Sequence, residues 1–212
     1  MNTFLNGIKK PFRVTIVLLL LCGLVYPLLL TGISQILFPK QANGSLITIG
    51  DQAVGSELVG QDFSDARFMK CRPSAVNYNT YTQEDKDNGN YAGVGSGSKN
   101  YAPTNPELVK RVESDIAEFL KSNPSIQKED IPTDLLTASG SGLDPHISPA
   151  SAAVQIPALV ESTGLSKKSL EAIVDENTQD KFMGIFGEKT VNVLKVNLDI
   201  ARELGLLKQT AD

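Results

Sequence analysis

One long apolar segment near the amino terminus separates the chain into two unlike parts. Residues 14–38 contain no charged side chain, and as an α-helix these roughly 25 residues would extend about 37 Å. That length exceeds the hydrocarbon thickness of a bilayer, about 30 Å. The pattern predicts a transmembrane helix over residues 14–38, a short tail over residues 1–13 and one polar domain over residues 39–212.

The charges beside the apolar segment predict its direction. Three basic residues precede it and one follows it closely, namely Lys9, Lys10 and Arg13, then Lys40. Because positive charge favours the cytoplasmic side, we expect residues 1–13 in the cytoplasm and residues 39–212 outside the cell (plasma or inner) membrane. The segment is longer than the apolar core of a cleaved signal peptide, so we expect an uncleaved single-pass anchor.

Short apolar stretches predict a small amount of β-structure. Residues 45–49 and 56–61 are apolar-rich pieces separated by glycines, which is typical of an antiparallel pair of strands. Residues 191–196 predict a further strand. Between these regions, residues 71–105 are rich in Asn, Gly, Ser, Tyr and Pro, so they predict a long loop.

Helical periodicity dominates the remainder of the polar domain. The Asn-Pro pair at residues 105–106 is a helix-start signal, and four aliphatic residues follow at four-residue spacing on one face: Leu108, Val112, Ile116 and Leu120. Three further helices are expected: one over residues 148–163 with a break at Pro157, one after Ser166, and a last one ending near Leu207. The mixture predicts an α+β fold without βαβ repeats.

Composition limits the available chemistry. His146 is the one histidine of the sequence, which excludes a metal site built from several histidines of one chain. Cys22 lies in the apolar segment and Cys71 in the polar domain, which argues against an intrachain disulfide. The net charge of -4 and the pI near 5.1, without a cluster of Lys and Arg, argue against nucleic-acid binding.

Two Ser/Gly-rich stretches of the polar domain are candidates for a functional site. The first, residues 93–100, has the sequence Gly-Val-Gly-Ser-Gly-Ser-Lys-Asn. A Walker phosphate loop needs adjacent Gly and Lys followed by Ser or Thr, and here Ser98 interrupts that pair. The turn composition therefore favours a flexible loop over a phosphate site.

The second stretch, residues 137–148, has the sequence Thr-Ala-Ser-Gly-Ser-Gly-Leu-Asp-Pro-His-Ile-Ser. Four of its residues could supply a nucleophilic triad: Ser139 or Ser141, with His146 and Asp144. The nucleophile-elbow pattern Gly-x-Ser-x-Gly lacks its first glycine, so a turn followed by a helix cap at Ser148 is favoured. An anchored hydrolase and an anchored solute-binding or sensor module stay open as alternatives.

Short motifs spread over almost the whole chain carry a resemblance to a known family. The longest are residues 137–148 and residues 38–47, Phe-Pro-Lys-Gln-Ala-Asn-Gly-Ser-Leu-Ile. Shorter ones follow in matching order and spacing, at residues 26–27, 31–32, 60–61 with 63, 72–75, 103–108, 155–157, 191–194 and 197–198. In these motifs the chain resembles the KdpC family, which belongs to the Kdp potassium-transporting ATPase.

The resemblance implies a non-catalytic accessory subunit with one membrane helix. Its partners would be a P-type ATPase subunit that hydrolyses ATP, a channel-like subunit that conducts potassium, and membrane lipid. Family members are described as catalytic chaperones that raise the ATP affinity of the catalytic subunit, so ATP is implied as a cofactor through that subunit. The implied nucleotide contacts are Gln155 and three loop residues, Ser96, Gly97 and Ser98.

The predicted orientation conflicts with direct contact between these residues and cytoplasmic ATP. About 30 Å of hydrocarbon would separate the two. We therefore expect any effect on ATP to act through helix packing or assembly. Four small or polar residues of the anchor are the candidates for contact with partner helices: Gly23, Gly32, Ser34 and Gln35.

Overall fold

A computed structural model describes residues 2–90 and 93–207 of the chain, with side chains from residue 7 onward. Three parts of the predicted regions lie outside the described residues: residue 1 of the tail, residues 91–92 of the long loop, and residues 208–212 of the polar domain. The chain divides into two compact units, residues 1–46 and residues 47–212. Helices and small sheets occur together after one long apolar helix, which confirms the α+β prediction.

The first unit is a nearly continuous apolar helix. α1 spans Asn2–Leu20, a π-helical turn spans Leu21–Val25, α2 spans Tyr26–Leu37, and the short α3 spans Pro39–Ala42. Within it, Gly7–Leu37 is long and apolar enough to cross a membrane by length and composition. The predicted segment over residues 14–38 thus falls almost entirely within this helix.

The π-helical turn ends two residues before Pro27. Proline has no amide hydrogen to donate, so a regular α-helix would lose a hydrogen bond at this point. The turn is wider instead, and Tyr26 N donates to Leu21 O, five residues back. The helix therefore continues past Pro27 without ending.

Two small sheets form the β-structure of the described residues. β1 (Leu46–Ile49) and β2 (Gln52–Ser56) make a two-stranded sheet. A second, antiparallel sheet has the order β3-β5-β4, with β3 at His146–Ile147, β4 at Thr178–Gln179 and β5 at Thr190–Asn192.

The predicted strand over residues 56–61 is wrong. β2 ends at Ser56, where the chain turns: Leu58 N donates to Ser56 Oγ at 3.1 Å and Val59 N donates to Ser56 O at 3.3 Å. The reversal between the strands lies at Gly50, whose φ of 59° permits a tight turn. The apolar residues after Ser56 therefore belong to a turn and not to the strand.

The prediction of a strand over residues 191–196 is wrong after its second residue. α9 (Val193–Glu203) begins directly after β5, because Asn192 Oδ1 accepts a hydrogen bond from Lys195 N at 3.1 Å and caps the helix. This last helix also ends before the predicted Leu207. Gly205, with a φ of 66°, takes the left-handed conformation that commonly terminates a helix.

The other predicted helices are present. The helix after residue 105 is confirmed, and the stretch over residues 148–163 is two helices that meet just before Pro157, which cannot donate to the preceding turn. Among its described residues, 71–90 and 93–105, the long loop is irregular apart from one helical turn and one 3-10 turn. The α-helices in chain order are α4 (Gln83–Asp87), α5 (Pro106–Ser122), α6 (Pro149–Ala153), α7 (Ile156–Thr163) and α8 (Lys167–Glu176).

The core of the second unit lies between α6 to α9 and the three-stranded sheet. Its centre is fully buried, with Val191, Val196 and Ile200 showing no exposed surface. Met69, from the segment that precedes the long loop, is also fully buried there. The core therefore fixes the start of the long loop, and with it the region of the predicted site.

Candidate functional site

The two Ser/Gly-rich stretches lie against each other. Gly97 N donates to Ser141 O at 2.8 Å, and Ser96 Oγ donates to the same carbonyl at 3.1 Å. Gly142 makes this approach possible, because its φ is 67° and a Cβ there would lie 2.8 Å from Gly97 O. The structure thus joins two separately predicted regions into one surface.

Further hydrogen bonds join residues 93–100 to Asn79 and to one another. Asn79 forms a reciprocal pair with Gly95, since its Nδ2 donates to Gly95 O at 3.0 Å and its Oδ1 accepts from Gly95 N at 2.9 Å. Ser98 Oγ donates to Asn100 Oδ1 at 2.8 Å and accepts from Asn100 N at 3.1 Å. The hydroxyl groups of the predicted nucleotide loop are therefore engaged in local bonds.

A cleft of about 560 Å³ opens beside this loop. Ser98 and Lys99 line one side, and Lys110 and Arg111 of α5 line another. Arg111 forms an ion pair with Asp115, one helical turn along. Of the residues implied in nucleotide contact, Ser98 is the one that lines this cleft.

Gln155 lies in the core instead of beside the loop. The residue is 4% exposed, and its Oε1 accepts from Lys70 N at 2.8 Å while its Nε2 donates to Lys70 O at 3.2 Å and to Ser151 O at 3.0 Å. Asn197 makes the same pair of hydrogen bonds with Met69, the residue before Lys70. Its Oδ1 accepts from Met69 N at 2.7 Å, and its Nδ2 donates to Met69 O at 2.9 Å. The two amides satisfy the backbone of an irregular segment, as a neighbouring strand would.

The hydrolase alternative requires a serine hydroxyl beside His146, and the described residues do not place one there. His146 Nδ1 lies 3.6 Å from Asp144 Oδ1, and His146 Nε2 lies 3.4 Å from Asn192 Nδ2. Ser139 Oγ instead accepts a hydrogen bond from Gly142 N at 2.9 Å. This arrangement lacks the nucleophile–base contact on which triad catalysis depends.

Asp144 organises the turn that the sequence favours. Its Oδ1 accepts from His146 N at 3.0 Å, and its Oδ2 accepts from Arg72 Nη1 at 3.1 Å. Burial alone would raise the pKa of Asp144, but hydrogen bonding with His146 and the charge of Arg72 outweigh that effect, so the pKa is lowered. The aspartate is thus an anionic anchor for the turn.

The expected cap at Ser148 has a partner that the sequence does not reveal. Ser148 Oγ accepts from Ser151 N at 3.1 Å, while Asp134 Oδ2 accepts from Ser148 N at 2.7 Å and Asp134 Oδ1 accepts from Ser151 Oγ at 2.5 Å. Burial opposes ionisation of Asp134, but these hydrogen bonds outweigh it and lower its pKa. Asp134 lies 14 residues before Ser148, so no helix-start pattern could have identified it.

The four predicted assembly residues of the anchor fall into two groups. Nothing lies within 4 Å of a Cβ built on Gly23 or Gly32, so both leave open surface on the helix. Ser34 Oγ donates to the carbonyl three residues back at 3.0 Å, and the amide of Gln35 pairs with that of Asn43 at 3.3 and 3.2 Å. The two polar side chains therefore already have partners within the chain.

Comparison with known proteins identifies the family. The family model described as K+-transporting ATPase, c chain (KdpC) matches residues 8–202. The chain belongs to the KdpC family. The potassium-transporting ATPase KdpC subunit of Clostridium kluyveri is 78% identical over 209 residues, which cover 99% of this chain and 100% of that protein. KdpC subunits of Clostridioides difficile and Caldanaerobacter subterraneus are 60% and 44% identical, over 96% and 93% of this chain and 100% and 95% of theirs.

Membership in the KdpC family confirms the resemblance found in the motifs. A KdpC chain is an accessory subunit of a potassium-transporting ATPase and is not itself catalytic. The candidate membrane helix at Gly7–Leu37 agrees with a membrane location. The hydrolase and solute-binding alternatives are not favoured.

Proposed function

We propose that this KdpC chain holds together a catalytic P-type ATPase subunit and a potassium-conducting subunit, through contacts within the membrane and on its outer side. Its anchor would pack between partner helices, and its α+β domain would rest on their outer surfaces. The observation that carries this proposal is the open surface at Gly23 and Gly32 on a helix that is exposed throughout its apolar length. Lipid tails are as apolar as leucine, so helix association relies on close approach at such small residues.

The orientation follows from charge. Lys9, Lys10 and Arg13 lie on the amino-terminal side of the apolar helix, against Lys40 on the other. We place the amino terminus in the cytoplasm and the domain outside, in agreement with the positive-inside rule.

An effect on ATP affinity would then be indirect. Gln155 is buried with its amide bonded to the backbone, and Ser96 and Gly97 are bonded to Ser141. Of the implied nucleotide contacts, Ser98 borders the open cleft, and from outside the membrane it cannot reach cytoplasmic ATP. We infer that the chain raises the ATP affinity of the catalytic subunit by stabilising the assembled arrangement of the membrane helices.

The test replaces residues 14–38 with a polyleucine helix of equal length. This variant should remain in the membrane but lose copurification with the ATPase and potassium-conducting subunits after mild detergent extraction. The matched control is the same polyleucine helix with Gly23, Gly32, Ser34 and Gln35 restored, which should recover copurification. Full copurification and normal growth at low potassium with plain polyleucine would contradict the proposal, because the anchor would then be a simple tether.

A further inference from the structure

The loop between β4 and β5 carries an exposed apolar tip. Four large apolar side chains lie within five residues, and they are exposed by 72%, 78%, 74% and 63%: Phe182, Met183, Ile185 and Phe186. The core of the second unit is complete without them. We call residues 181–187 the apolar hairpin.

The apolar hairpin is a formed structure. Phe182 N donates to Phe186 O at 2.8 Å, and Phe186 N donates to Phe182 O at 3.0 Å. Gly184, with a φ of 75°, supplies the left-handed turn between them. The hairpin lies in the connection between β4 and β5, which pair at the edge of the core sheet. The backbone that carries the apolar side chains is therefore ordered before any partner binds, which reduces the ordering cost of binding.

The base of the hairpin is closed by two ion pairs across the loop. Lys181 Nζ lies 3.3 Å from Glu188 Oε2, and Lys189 Nζ lies 2.7 Å from Asp180 Oδ1. Residues 175–189 carry four carboxylates and two ammonium groups, a net charge of -2. Membrane surfaces attract protein segments that have excess Lys and Arg, so this charge disfavours insertion among anionic lipid headgroups.

The size of the patch indicates how its partner is held. The four side chains expose roughly 500 Å² of apolar surface, similar to the largest patches found on soluble monomers. A stable interface between free proteins needs about 800 Å² on each partner. The hairpin is too small to capture a free protein, but it is sufficient for a partner already held beside it, where the effective concentration is high.

A second copy of this chain is a poor match for the hairpin. The cavities of about 560 and 390 Å³ both have charged side chains in their lining, such as Lys110 and Arg111 in the first and Glu176 and Lys195 in the second. A convex apolar tip instead needs an apolar recess. The charge, the area and the shape together favour a different chain.

We propose that the apolar hairpin docks into an apolar recess on the outer surface of another protein chain of the same potassium-transporting ATPase complex. The inference rests on the proposed function, because it requires the domain to lie outside beside the membrane-embedded partners. It adds a second, extramembrane contact to the one made by the anchor.

The test places a photoreactive benzophenone amino acid at Met183 in the full chain, within membranes that contain the assembled complex. Irradiation should attach this position to another subunit of the complex. The matched control is Val94, which is 85% exposed on a different loop and should not give that product. Attachment to lipid alone, to a second copy of this chain, or to nothing would overturn the proposal.

A double variant tests how much the apolar hairpin contributes to assembly of the complex. Met183→Ser with Ile185→Ser removes exposed apolar surface and should reduce the fraction of partner retained through detergent washing at least threefold, whereas Val94→Ser should not. Unchanged retention would overturn the proposed docking. The native chain must copurify in the same experiment, which separates failure of the hairpin proposal from failure of the proposed function.

Discussion

The paired Ser/Gly-rich loops and the apolar hairpin differ in how their side chains are used. The loops at residues 93–100 and 137–148 resemble functional motifs in sequence, yet their polar groups are bonded to each other and to nearby backbone. The hairpin at residues 181–187 has no motif character, yet its apolar side chains are left exposed. Glycine and serine at high density thus indicate here how the chain packs on itself, whereas unsatisfied apolar surface indicates where it meets a partner.

We expect the greatest loss of stability on removing the buried amide that holds the start of the long loop. Gln155→Ala leaves the N–H and C=O of Lys70 without partners in the core, so we expect the free energy of unfolding to fall by about 3 kcal/mol. The measurement is urea unfolding of the full chain in mild detergent, followed by circular dichroism. The exposed Gln127→Ala is the control and should change stability by less than about 0.5 kcal/mol. Equal stabilities would show that Gln155 has no structural role and would restore it as a free binding group.

The contact between the two loops is tested at a pair of glycines. Gly142→Ala places a side chain on a residue with a φ of 67° and within 2.8 Å of Gly97 O. We expect a loss of about 2 kcal/mol in the same unfolding measurement. Gly140→Ala should be nearly neutral, because nothing lies within 4 Å of the added Cβ. If both variants behave alike, the two loops do not lie against each other as described.

Much of this fold could be predicted from local sequence. The apolar helix, the helix after Asn105 and the cap at Ser148 each depend on one continuous stretch of the sequence. The errors at residues 56–61 and 191–196 arose where apolar residues continue past a turn or a helix cap, so hydrophobicity alone could not locate the boundary.

The site was less predictable, because its bonds join distant parts of the chain. Asn197 bonds to Met69 across 128 positions, and Gln155 bonds to Lys70 across 85. No local pattern distinguishes a buried amide that holds backbone from one that binds a ligand. The apolar hairpin was missed for another reason: Phe, Met and Ile are typical core residues, and only the fold shows that they are exposed.

Acid pH should lower the stability of the fold by a smaller amount, through Asp134. The folded-state pKa of Asp134 is lowered, so its contribution to stability is present above the ordinary aspartate pKa, near 4, and is lost as pH falls through the lower folded value. Asp134→Asn should therefore lower the free energy of unfolding by about 1 kcal/mol at pH 7 and by less at pH 3. Unfolding of both proteins over this pH range provides the measurement. A difference that grows toward acid pH would contradict the sign of the shift.

A substitution in the apolar hairpin should change the stability of the chain least of all. Ile185→Ser changes a side chain that is 74% exposed, so the stability of the isolated chain should change by less than about 0.5 kcal/mol. The same urea unfolding experiment measures it. A loss comparable to that of Gly142→Ala would mean that the hairpin supports the fold and is not a free surface.

We expect the domain to act from outside, by contact with partner chains and without touching cytoplasmic ATP. A membrane-impermeant thiol reagent tests this directly in intact cells, with single cysteines placed at Asn88 or at Asn6 after replacement of Cys22 and Cys71. We expect the reagent to label the cysteine at position 88 and to miss the one at position 6. Labelling in the opposite pattern would place the domain in the cytoplasm and would reopen direct contact between this chain and ATP.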